Sequence, residues 1–119
     1  MKKVILALIL ALFVSSFAFA QEDDRLSMNG TIIDCASADV HKDDIAGFLA
    51  IYTKNDALKQ EAVKSGYGIW LGDQFMKFDK GSKAAIVDFL NKADSSLQVT
   101  VQVYIEQSDL LSLISITNK

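Results

Sequence analysis

The chain has 119 residues, with 12 Lys and Arg against 15 Asp and Glu, one His, one Cys and no Pro. That length suits a single compact domain, and the acidic balance works against a nucleic-acid phosphate backbone as partner. A lone cysteine excludes an internal disulfide, so stability has to come from an apolar core.

The first twenty residues read as a cleavable secretory signal. Lys2 and Lys3 form a positive start, Val4 to Val14 is unbroken apolar sequence, Ser15 and Ser16 interrupt it, and Ala18-Phe19-Ala20 places small residues before a cut after Ala20. The apolar run is too short for a membrane span, which takes about 20 residues, and Cys35 lies too far past the cut for lipidation. The expected compartment is periplasmic or extracellular, with no membrane contact once the signal is removed. Without the signal, 10 Lys and Arg face 15 Asp and Glu, a net charge of −5.

Residues 21–25 read as a short polar, disordered leader, and 26–119 as one domain. Leu26 to Asp34 predicts a strand, with Gly30 marking a bulge or sharp bend. Next comes a helical insertion. Asp43 or Asp44 caps a helix whose buried stripe is Ile45, Phe48, Leu49 and Tyr52, and Asn55-Asp56 recaps a second piece ending near Ser65-Gly66. Tyr67 to Leu71 and Gln74 to Phe78 form a hairpin around Gly72-Asp73. Ser82 to Lys92 predicts a short amphipathic helix, with Ser82 as N-cap and Ile86, Phe89, Leu90 and Ala93 on its buried side.

The strongest local signal is Leu97 to Glu106. Leu97, Val99, Val101, Val103 and Ile105 alternate with polar residues, so one face is buried and the other wet. After the polar break 107–109, Leu110 to Thr117 completes a second hairpin. The order is strand, helical insertion, strand, strand, helix, strand, strand. This predicts a mainly β fold with helices: a five-stranded Greek-key barrel of the oligonucleotide/oligosaccharide-binding (OB) type, with the insertion between strands 1 and 2 and a helix between strands 3 and 4.

The segments Gly30-Thr31-Ile32-Ile33-Asp34-Cys35, Ser65-Gly66-Tyr67-Gly68-Ile69-Trp70-Leu71, Phe75-Met76-Lys77-Phe78-Asp79 and Val99-Thr100-Val101 resemble a group of small exported bacterial proteins with an OB-like barrel. The resemblance implies fold and export and supplies no reaction. It also implies that some relatives carry further cysteines near the start of the insertion and before the Ser-Gly-Tyr segment. In this chain those places hold only Cys35 and, further on, Ala62 and Val63.

Asp34, Cys35, Asp39 and His41 are the candidate metal ligands, a thiol, an imidazole and two carboxyls within eight residues. Their spacing matches no ligand motif, and Cys35 can equally be inert, bridging or ligand-bound. As a Cys–His nucleophile the pair lacks any guarantee of a hydrogen bond across the intervening loop. Trp70 and Tyr104, turned outward by alternation, are the candidate ligand-surface residues. Lys54, Lys59 and Lys64 read as solvated charges. The expected function is a non-enzymatic binding or interaction module without a cofactor, its partner a small molecule, glycan or protein. Two other readings stand beside it: metal or thiol-redox handling through Cys35 and His41, and oligosaccharide binding through Trp70.

Overall fold

The computed structural model describes residues 25–119. The signal peptide 1–20 and all but the last residue of the leader 21–25 lie outside the described residues.

Apolar-polar alternation makes two strands of ten residues each, and turn chemistry makes the short ones. In chain order the elements are β1 (Arg25–Asp34), α1 (Cys35–Val40), α2 (Ile45–Leu49), α3 (Lys54–Ala57), α4 (Gln60–Ser65), β2 (Tyr67–Trp70), β3 (Phe75–Phe78), a 3-10 turn (Lys80–Ser82), α5 (Lys83–Leu90), β4 (Gln98–Gln107) and β5 (Leu110–Asn118). The five strands close into a ring in the order β1-β2-β3-β5-β4. All neighbours are antiparallel except β3 and β5, which run parallel and meet only at Lys77↔Leu110 and Phe78↔Leu111. β1 is long enough to pair with β4 from Arg25 to Thr31 and with β2 from Thr31 to Asp34.

Side chains that alternation turns inward fill the ring. Ile32, Ile69, Val99, Val101, Val103 and Leu111 are fully buried, and Ile86, Phe89 and Leu90 of α5 join the same core. Ala38, Ile45, Tyr52 and Ala57 of the insertion belong to that cluster too, so insertion and ring share one core.

Three expectations are corrected. No register shift occurs at Gly30, so it marks no bulge. A Cβ there would sit 2.6 Å from Ile69 Cγ1 and from the Trp70 carbonyl oxygen, so the glycine is required by close approach. Ser82 does not cap α5 with its side chain; it is buried. Its hydroxyl donates to Asp79 Oδ1 at 2.6 Å and accepts from the Leu113 N–H at 2.9 Å, while Asp79 caps the 3-10 turn. Ile105, expected inside, is 45% exposed. Tyr104 is the last residue of β4 that pairs with β1 among the described residues, so Ile105 keeps only Leu111 of β5 as a strand neighbour there.

Gly68 faces outward on β2, and the Phe75 ring lies over it. A Cβ at Gly68 would press into that ring and come 2.5 Å from the Met76 carbonyl oxygen. Gly68→Ala is therefore expected to destabilise by about 1–3 kcal/mol, the usual cost of overpacking. Phe75→Ala in the same chain should not rescue it, because the backbone clash persists; urea denaturation of both variants checks this.

Candidate functional site

The insertion is four short helices rather than the two predicted pieces, because a new cap interrupts the chain every few residues. Asp34 accepts from the Ser37 N–H at 3.0 Å and starts α1, and Asp44 accepts from the Gly47 N–H at 3.0 Å and starts α2. Thr53 and Asp56 form a reciprocal capping box on α3. Gly66, at φ 84°, ends α4. No piece exceeds six residues, far below the length at which an isolated helix holds in water. Their order therefore depends on attachment to the ring.

The attachments are specific. At the two ends, the Cys35 N–H donates to the Gly66 carbonyl at 2.9 Å and the Ala36 N–H to Ser65 Oγ at 3.2 Å. In the middle, Tyr52 donates its hydroxyl to Asp34 Oδ1 at 2.5 Å and accepts from the Asp34 N–H at 3.1 Å. Tyr67 of β2 donates to the Ala57 carbonyl at 2.5 Å. Lys54 donates to the Lys92 carbonyl at 3.1 Å and to Ser95 Oγ at 3.0 Å, so it is a tie between the insertion and the segment before β4 rather than a solvated charge. Lys59 pairs with Asp56 at 3.3 Å. Burial, together with the hydrogen bond to Asp34, pushes the Tyr52 phenol far above its ordinary value, and burial pushes Tyr67 up to about 12. Both therefore stay neutral donors at any physiological pH.

The predicted ligand cluster does not converge. Asp34 is 2% exposed, with both carboxyl oxygens engaged by Tyr52 and Ser37. Cys35 is half-buried, and burial raises its thiol pKa, partly offset by the nearby Lys77 ammonium. Asp39 is exposed at the surface of α1. His41 stacks on Phe48 with ring centroids 3.9 Å apart and planes within 8°. Among the described residues no three His, Cys, Asp or Glu side chains form a group that could hold a metal ion.

Trp70 and Tyr104 do face outward, but not together. Trp70 is half-buried on β2, opposite Thr31, whereas Tyr104 lies opposite Arg25. Six residues of β1 separate those partners, about 20 Å at 3.4 Å per residue, so the two rings cannot serve one small ligand. At the far end of β4, Asp79 and Glu106 share a hydrogen bond. The Ser82 hydroxyl leads in holding Asp79 below its ordinary value, while the Asp79 contact pushes Glu106 up.

What the structure adds is a surface on the insertion. Val40 and Ile51 are each 75% exposed, well above Ile105, Tyr104 or Ile114. They line one open depression of about 320 Å³ together with His41, Phe48, Asp43 and Asp44. A second depression of about 220 Å³ shares Val40 and His41 and continues to Asp56, Lys59 and Glu61. Sequence periodicity missed this surface, although a signal existed. Ile51 is an apolar residue that falls off the Ile45-Phe48-Leu49-Tyr52 stripe, and Val40 belongs to no stripe at all.

No helix among the described residues is long and apolar enough to cross a membrane. No protein-family model, curated protein or solved structure gives a significant match to the chain.

Proposed function

We propose that this chain is an exported, non-enzymatic interaction module with an OB-like barrel, and that it engages its partner through the helical insertion. The OB-like reading is supported by the ring order β1-β2-β3-β5-β4, the parallel β3–β5 contact and the helix between β3 and β4. Export rests on the first twenty residues.

The observation that carries the interaction reading is the exposure of Val40 and Ile51 across one depression. Scattered surface aliphatics are ordinary, and two branched side chains three-quarters exposed at one depression support reading it as an interaction surface. The ties through Tyr52, Tyr67 and Lys54 hold that surface in one arrangement, so little ordering entropy opposes binding.

The test is a photoreactive residue placed in living cells at Val40, at Ile51 or, as control, at Gln102 on the wet face of β4. Adducts of one defined mass at Val40 and Ile51, with none at Gln102, are the expected result. Absence of adducts at both insertion positions, or equal labelling at Gln102, sinks the reading.

A further inference from the structure

We infer that the occupant of the insertion surface is a cationic peptide segment of a partner protein, seated with an apolar side chain between Val40 and Ile51 and with Lys or Arg facing Asp43 and Glu61. This rests on the interaction reading above and adds the chemistry of the partner.

The two depressions share Val40 and His41 and so lie side by side on the insertion. The apolar part of the first depression is short, Val40, Phe48 and Ile51, enough for one or two side chains rather than a broad face. Acids border both depressions. Asp43 and Asp44 line the first, Asp56 and Glu61 the second, and exposed Asp39 lies on α1 beside Val40. The cations nearby do not balance them. Lys59 is engaged with Asp56, Lys42 lies between Asp39 and Asp44, and Lys64 follows Glu61 on α4, so five acids face three lysines. A positive segment is drawn to such a rim, and opposite charges at the edge of an interface steer the encounter.

The same rim argues against other occupants. A nucleic acid or an anionic membrane surface carries the wrong sign. A second copy joined by a two-fold axis sets the same patch, with its excess of acids, against itself. The stacked pair His41–Phe48 lines the first depression and offers an aromatic face on which a guanidinium or ammonium can rest.

The experiment uses two synthetic peptides with identical apolar residues, one flanked by Lys and the other by Glu. They are titrated into the protein as the cell matures it, and the Val40 and Ile51 methyl signals are followed by NMR. The Lys-flanked peptide should shift both signals, and the Glu-flanked one should not. The exposed pair Asp43→Lys and Glu61→Lys should weaken the Lys-flanked peptide about tenfold while leaving the thermal midpoint in place. Equal binding of both peptides, shifts confined to other residues, or no shifts at all overturn the cationic assignment. So does a concentration-dependent shift without peptide, which identifies a second copy as occupant. In each of these cases adducts at Val40 and Ile51 would still support an interaction surface, whereas their absence fails the surface itself.

Discussion

Val101→Asp is expected to abolish folding, whereas Gln102→Asp, one position along β4, should be tolerated within about 1 kcal/mol. Val101 has no exposed surface and sits opposite Met28 of β1 and Ile116 of β5. A carboxylate there has no partner, and burying it costs several kcal/mol against a total stability of about 5–15 kcal/mol. Gln102 is exposed, with its Cα opposite Ser27 and Ser115, and surface changes of this kind stay small. Far-ultraviolet circular dichroism and urea titration of the two variants separate the outcomes. Equal damage would mean that β4 is covered on both faces, and equal tolerance that it lines no core.

The second large effect lies at Asp34. Asp34→Ala is expected to cost about 2–4 kcal/mol, because it removes the α1 cap, worth about 0.5–2 kcal/mol, and leaves the buried Tyr52 hydroxyl without its acceptor, worth about 1–3 kcal/mol. Tyr52→Phe deletes the other half of the same bond and should cost about 1–3 kcal/mol, since Asp34 Oδ1 is then left buried and unsatisfied. The double variant should cost clearly less than the sum, as expected of two groups in direct contact. Chemical denaturation of all four chains measures the cycle; strict additivity would show that the two side chains act independently. The effect should also be regional. Amide exchange should rise across α1 and α2, which depend on this tie, before it rises in β4.

How far the fold could be read in advance depended on whether a segment's burial is set locally. β4 was legible because its two faces meet different solvents, so its sequence alternates from Gln98 to Tyr104. The hairpin at Gly72 was legible because its φ of 103° calls for glycine. The helix α1 was not, since Cys35–Val40 has no apolar period and is started by Asp34, a residue that reads equally well as the end of a strand. Ser82 misled because the same hydroxyl that caps a helix can satisfy a distant backbone, here Leu113 on β5. Lys54 misled in the same way, as its acceptors lie 38 and 41 residues further on.

The candidate site was the less legible part. The Asp34-Cys35-Asp39-His41 run drew attention because reactive residue types lie close in sequence, yet the fold spends them on separate tasks: a buried cap, a half-buried thiol, an exposed carboxyl and a stacked ring. Val40 and Ile51 carry no chemistry of their own. Only their exposure distinguishes them, and exposure is a property of how the four short helices are tied to the ring.

The closure of the ring through β1 and β4 bears on how fast the chain can reach its native state. β4 and β5 are joined by a two-residue turn, so they can pair within microseconds, but β1 must find β4 across an interval that the Thr100–Asn29 side-chain bond puts at 71 residues. Loop-closure entropy is spent before those contacts return anything, and topologies of this kind fold in milliseconds to seconds. With no proline anywhere in the chain, prolyl isomerisation cannot supply a slow refolding phase. Whatever barrier governs refolding is thus the search of β1 for its place between β2 and β4, with the order of events written in the connectivity rather than in any slow bond.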